Sequence, residues 1–182
     1  AFNEEKLDWI NKEHLKRLSY EEQEEYIAQF LPDQIKNLKG YSNTIVHNIT
    51  PIIMERISKG TDITKMAEDG ELTYFFEEPT YKKESLFFKN SKIENDKEKT
   101  LTSYLQKAIS LIETIDEGNF TKEKIKDILW PYAEEVGRGD ILWPMRYALS
   151  GLDKSPDPFI LSEILGKGET IKRLNKAISV LE

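Results

Sequence analysis

Apolar residues recur at helical spacing along nearly the whole chain, and no stretch alternates apolar and polar positions over the length of a strand. Leu7, Ile10, His14 and Leu18 form one stripe, with Asn3 placed as the N-cap of a first helix. Ser19 followed by Glu22 is a capping-box pair that opens a second helix to about Phe30, and Leu31-Pro32-Asp33 ends it. The segment from about Ser42 to Ile57 reads as a third helix. Pro51 is expected to kink or split it, because proline lacks the amide proton and its ring presses on the preceding turn. Gly60-Thr61-Asp62 then interrupts the chain and caps a short helix near Ile63 to Ala67.

Leu72-Thr73-Tyr74-Phe75-Phe76 is an aromatic cluster between Gly70 and Pro79, and Leu86-Phe87-Phe88 is a short apolar knot. Lys89 to Lys99 is polar and densely charged, so a boundary between two sub-bundles is expected near residues 90–92. Beyond it, Leu101, Tyr104, Leu105, Ala108, Ile112 and Ile115 line one face of a long helix. Thr121 caps the next, which runs to about Val136, and a helix over Asp140 to Leu149 stops at Ser150-Gly151. Asp157 before Pro158 is an N-cap followed by a first-turn proline, opening a helix that ends at Gly166. Ile171, Leu174, Ile178 and Leu181 give the last helix its stripe. The pattern predicts an all-α fold of two packed helical bundles, at residues 19–92 and 93–182, behind a leading segment 1–18.

Asp127-Ile128-Leu129-Trp130-Pro131 recurs as Asp140-Ile141-Leu142-Trp143-Pro144, thirteen residues on. That period is too short for stacked repeats. The plain reading is two helices that each bury a Leu-Trp pair and tolerate a proline.

The 182 residues suit one medium domain or two small ones. The chain opens on Ala1-Phe2 without an initiator Met and is expected to be a piece of a longer protein. No apolar run approaches the roughly 20 residues of a membrane span and no signal peptide is legible, so a cytoplasmic location is expected. The net charge of -7 and a pI near 5.1 count against sequence-blind nucleic-acid binding, which needs a basic face. The acids concentrate in Glu21-Glu22-Gln23-Glu24-Glu25, Glu77-Glu78 and Glu134-Glu135, whereas the chain from Arg138 onward is nearly balanced. An RNA reader that contacts bases more than phosphates fits this distribution.

Chemistry is hard to place. There is no cysteine, and His14 and His47 stand at no ligand spacing, so neither a thiolate nor a histidine metal site is legible. No glycine-rich phosphate cradle follows a strand, and the serines lack a histidine–acid setting. An all-α hydrolase using paired carboxylates has no defined constellation.

The run from Leu142 to Phe159 resembles the carboxy-terminal signature of bacterial glutamyl-tRNA synthetases. That signature reads proline, any residue, arginine, two residues, leucine, serine or threonine, glycine, a spacer, Ser-Pro, then phenylalanine. Phe2-Asn3-Glu4-Glu5-Lys6-Leu7-Asp8-Trp9-Ile10-Asn11 resembles the family's helix that closes the stem-contact domain after the catalytic core. Thr73-Tyr74-Phe75-Phe76 resembles the aromatic patch of its first anticodon bundle. The resemblance implies the class I synthetase anticodon-binding fold, with residues 1–18 the end of the stem-contact domain. It also implies a tRNA(Glu) anticodon loop as partner, alongside an upstream catalytic domain of the same protein. The intact enzyme, a monomer, would use ATP and Mg²⁺ to load glutamate. This piece would carry no cofactor: the His-x-Gly-His signature is absent, and Lys65-Met66 runs on as Ala67-Glu68-Asp69 rather than as the mobile catalytic loop of the class.

By that resemblance Arg146, Ser155, Pro156 and Pro158 hold the first two anticodon bases, with Trp143 available to stack. Arg56 matches the reader of the third base. Arginine offers only donors, cytosine presents two acceptors and guanine two donors, so Arg56 would favour the glutamate anticodon over the glutamine one. Plainer readings stand beside these. Arg146 pairs with a neighbouring acid, Trp143 is core, the Ser155–Pro158 turn is a helix entry, and Arg56 pairs with Glu55 or Asp62. The competing reading of the whole is an acidic, soluble, all-α protein-interaction module.

Overall fold

The computed structural model describes residues 3–182; Ala1 and Phe2, including the first position of the amino-terminal motif, lie outside the described residues. All regular structure among the described residues is helical. The chain forms two compact units, Ala1–Glu77 and Glu78–Glu182.

In the first unit, α1 (Glu4–Leu15) begins where the Asn3 side chain accepts from the Glu5 N–H, and α2 (Tyr20–Phe30) begins with the Ser19–Glu22 capping box. A short α3 (Asp33–Lys36) leads to α4 (Asn43–Arg56), which runs unbroken through Pro51. Pro51 cannot donate to the carbonyl of His47 one turn earlier. The Tyr20 hydroxyl donates to that carbonyl instead, at 2.7 Å. The Asp62 carboxylate accepts from the Ser58 and Lys59 N–H groups and so caps α5 (Gly60–Glu68). The expected aromatic cluster folds as α6 (Thr73–Phe76), with all three rings buried. α2 packs on α4 and α5 around Ile27, Ile49, Ile53, Ile57 and Ile63, each fully buried. Each such side chain contributes about 1.5–3 kcal/mol.

Of the stripe Leu7, Ile10, His14 and Leu18, the first three lie on α1 as expected and Leu18 just past its end, and most of it is open: Leu7 is 41 % and Ile10 47 % exposed, beside Trp9 at 64 %. Only Leu15 of α1 is buried. Spacing identifies the apolar side of a helix but not whether the chain covers it.

In the second unit, a 3-10 turn at Lys83–Leu86 precedes α7 (Lys97–Glu113), α8 (Lys122–Val136), α9 (Arg138–Ser150), α10 (Pro158–Leu165) and α11 (Lys167–Leu181). α11 packs along α7, α8 lies against α9 and α10, and α9 also meets α10, α11 and the 3-10 turn. Their shared core includes Leu86, Leu105, Ile112, Leu129, Ile141, Met145, Phe159 and Leu174. Because Leu86 is buried in that core, the compact units part between Glu77 and Glu78, not in the charged stretch near residues 90–92.

Several cations serve as C-terminal caps, each satisfying carbonyls that a helix end leaves without donors. Lys167 donates to the carbonyls of Glu113 and Ile115, Lys83 to that of Leu181, and Arg173 to that of Leu149 at 2.6 Å. Arg173 is only 2 % exposed and is paired with Glu169 at 2.8 Å. These cations are engaged by the fold itself.

Candidate nucleic-acid interface

α8, α9 and the entry to α10 enclose an open groove of about 500 Å³ within the second unit. Its walls include Trp130, Leu142, Arg146, Pro158, Phe159 and Lys126. Each arrives for a local reason. α9 is held at its end by Gly151, which takes a left-handed φ of 71° and donates its N–H to the Tyr147 carbonyl. A side chain at that position would be strained, and its Cβ would fall 2.8 Å from Pro79. Pro158 occupies the first turn of α10, and the Asp157 carboxylate accepts from the Phe159 and Ile160 N–H groups at 2.9 and 3.0 Å.

Arg146 is half-buried on α9, and no carboxylate among the described residues pairs with its guanidinium. The expectation of a plain ion pair is therefore not met, and five donors remain available in the groove. Ser155 is tied back to α9: its hydroxyl lies 3.0 Å from that of Ser150, which in turn contacts the Arg146 carbonyl at 2.9 Å and accepts from the Leu152 N–H. The turn from Leu152 to Pro156 is thus fixed one helical turn beyond Arg146, and a prefixed turn loses little entropy on binding.

Of the sequence-expected residues, the groove brings together Arg146 and Pro158. Ser155 and Pro156 precede it in the turn without lining it. Trp143 lies outside it. Its indole N–H donates to the Ser85 carbonyl at 3.0 Å, and its ring meets those of Tyr147 and Phe88 at 5.6 and 6.1 Å between centroids. Arg56, at the end of α4 in the first unit, is paired with Glu71, not with Glu55 or Asp62. That carboxylate orients the guanidinium and leaves it half exposed.

Trp130, from the first copy of the repeated pentapeptide, lines the groove where sequence reasoning assigned nothing. The two copies turn different faces inward, correcting the expectation of two alike Leu-Trp pairs. In the first, Leu129 is buried and Pro131 exposed; in the second, Ile141 and Pro144 are buried and Leu142 lines the groove. Identical local sequence carries no signal of this difference. Lys126, one turn before Trp130, offered only a weak one.

Charge around the helix ends is balanced locally. Lys172 and Lys176 hold the Glu78 carboxyl below the usual carboxylate range, through hydrogen bonding from Lys172 first. Burial pushes the Tyr81 phenol up to about 12. Among the described residues no three His, Asp or Glu side chains gather as metal ligands. No helix is long and apolar enough to cross a membrane.

The groove thus sets an unpaired guanidinium beside aromatic and proline surfaces. The chain belongs to the anticodon binding domain family, which matches residues 6–178. Within it, the similarity is to glutamate–tRNA ligases. The chain is 30 % identical to that of Clostridium botulinum over all of its length and 35 % of the relative's. It is 32 % identical to that of Flavobacterium johnsoniae, over 99 % of this chain and 33 % of the relative. A crystal structure of a glutamate tRNA ligase from Elizabethkingia meningosepticum superposes on the whole chain and 33 % of that protein, with a TM-score of 0.69 and 26 % identity. The glutamate-tRNA synthetase of Elizabethkingia anophelis gives a TM-score of 0.66 at 28 % identity, covering 98 % of this chain and 32 % of that one. The chain therefore spans about a third of the length of the curated relatives it matches.

Proposed function

We propose that the chain is the anticodon-reading part of a glutamate–tRNA ligase and selects tRNA(Glu) without itself forming a bond. The observation that carries the reading is Arg146: an unpaired guanidinium in an open groove floored by Pro158 and Phe159, inside the family match. The first two anticodon bases are held there. The fixed Ser155-Pro156 turn frames them, and Trp143, three residues before Arg146, orients that stretch of α9. Arg56 reads the third base, with Glu71 steadying its fork, and favours cytosine because all its donors face acceptors.

In the longer, monomeric, cytoplasmic enzyme, an upstream catalytic domain would bind ATP and Mg²⁺ and load glutamate. The exposed Leu7, Trp9 and Ile10 of α1 support residues 1–18 as the end of the stem-contact domain, since this apolar face is left open by the described residues. The same exposure favours a protein contact at α1 but leaves Arg146 unexplained.

Filter binding of a tRNA(Glu) transcript at two salt concentrations tests the reading. Saturable binding is expected, with a shallow salt dependence, because a chain of net charge -7 that reads bases neutralises few phosphates. Absence of binding at both salts would exclude it and leave the interaction module.

A further inference from the structure

We propose that Trp130 is a base-stacking platform, holding an unpaired nucleotide of the RNA loop next to the bases at Arg146; this rests on the function proposed above. Trp130 and Arg146 line the same groove, and its volume of about 500 Å³ lies in the range of sites for drug-sized molecules. The space accommodates more than one base.

Trp130 and Trp143 differ in what engages them. Trp143 spends its N–H on a carbonyl and its faces on other rings. Trp130 has no hydrogen-bond partner for its N–H among the described residues, and it is half-buried at the groove wall. Its ring lies 6.4 Å from that of Phe159, a second wall of the groove, and two cations stand over it: the Lys126 ammonium at 5.0 Å and the Arg138 guanidinium at 4.6 Å from the centroid. Lys126 has no carboxylate partner among the described residues, and Arg138 is an exposed side chain paired only with Glu134.

Both are long side chains at the surface, and both can swing. A nucleobase brings a larger π surface than either cation, and it brings its own phosphate. The base takes the ring, and the displaced cations meet the phosphate. Stacking of this kind tolerates any base, because every base has a π face. Trp130 therefore adds affinity without specificity, while Arg146 and Arg56 read identity. The repeated Asp-Ile-Leu-Trp-Pro thus supplies one tryptophan whose N–H is engaged by the fold and one that lines the groove with its N–H free of protein partners among the described residues.

The experiment uses the full chain and a synthetic anticodon stem-loop bearing the glutamate anticodon. The chain is labelled with 5-fluorotryptophan, and the three fluorine resonances are assigned with Trp9→Phe and Trp130→Phe. The Trp130 resonance is expected to shift on saturation with RNA while the Trp143 resonance stays. Trp130→Leu is expected to bind about tenfold more weakly with its circular dichroism unchanged, and Trp130→Phe to bind within about threefold of the native chain, consistent with measured base–aromatic stacking. A Trp130 resonance that does not move at saturation, or a folded Trp130→Leu that binds as the native chain does, overturns this assignment alone. A native chain that binds no hairpin at either salt overturns the anticodon-reading function, and this assignment with it.

Discussion

The hydroxyl of Tyr20 donates to the carbonyl of His47, the acceptor that Pro51 leaves without its helical donor. The two rings also touch, with centroids 4.8 Å apart. A proline in mid-helix is thereby accommodated by a side chain from α2, and α4 continues unbroken to Arg56.

Tyr20→Phe should therefore cost about 0.5–1.5 kcal/mol, the net worth of one hydrogen bond. Urea unfolding reads the loss. In a Pro51→Ala background the restored N–H serves the same carbonyl, and the cost of Tyr20→Phe should shrink. Equal costs in both backgrounds would show that the bond does not compensate the proline.

Arg146→Ala should weaken binding of the glutamate anticodon hairpin about tenfold or more while leaving the urea midpoint unchanged, because Arg146 supports no ion pair in the fold. Charging kinetics of the longer enzyme carrying the same change provide the second readout, with glutamate activation spared. Lys126→Ala should instead lower the slope of log K against log salt by about one, as loss of a single phosphate contact does.

Arg56→Gln should relax the choice between hairpins with cytosine and guanine at the third position. The native preference corresponds to about 1–3 kcal/mol if base readout here matches that elsewhere. A glutamine amide offers both a donor and an acceptor, so either base can pair. Retained discrimination would assign the third base to another side chain.

Arg173→Met should destabilise the chain by about 1–3 kcal/mol, the cost of leaving the Leu149 carbonyl without its buried donor. It leaves the Leu149 carbonyl, near the end of α9 and ahead of the Gly151–Pro156 turn, without its donor, and Glu169 of α11 with Lys172 alone. Weaker hairpin binding should accompany the loss.

Alkaline pH should unfold the chain through its tyrosines. Burial raises the phenols of Tyr81 and Tyr132 to about 12, and raises those of Tyr20 and Tyr74 as well. A raised folded-state value means the native chain holds protons that the unfolded chain releases near pH 10, so this stability is complete below about pH 10 and falls as the folded-state values are approached. Phenolate absorbance should rise in step with the loss of helical circular dichroism. Titration of all tyrosines near pH 10 in a still-folded chain contradicts this.

The helix ends were legible because capping is local. Ser19 with Glu22, Thr121, Asp157 with Pro158, and Gly151 each act on backbone groups within a few residues, and each sits where sequence places it. The same holds for Arg146 and Pro158, which a resemblance over one continuous stretch put within reach of each other. Spacing marked the apolar stripe of α1 but not its exposure, because that depends on whether another element packs there. The division between units was placed late because the charge of residues 89–99 stood out, while the commitment of Leu86 to the second core depends on distant helices.

The sequence by itself determined that this chain is helical, where most of its helices start and stop, and which arginine belongs beside the proline turn. Those properties follow from short-range hydrogen bonding and periodicity. Only the tertiary structure decided which tryptophan of two identical pentapeptides bonds the Ser85 carbonyl and which lines the groove, and which cations cap helices and which do not. Such choices depend on what packs against each face, and the same five residues meet different neighbours on α8 and α9.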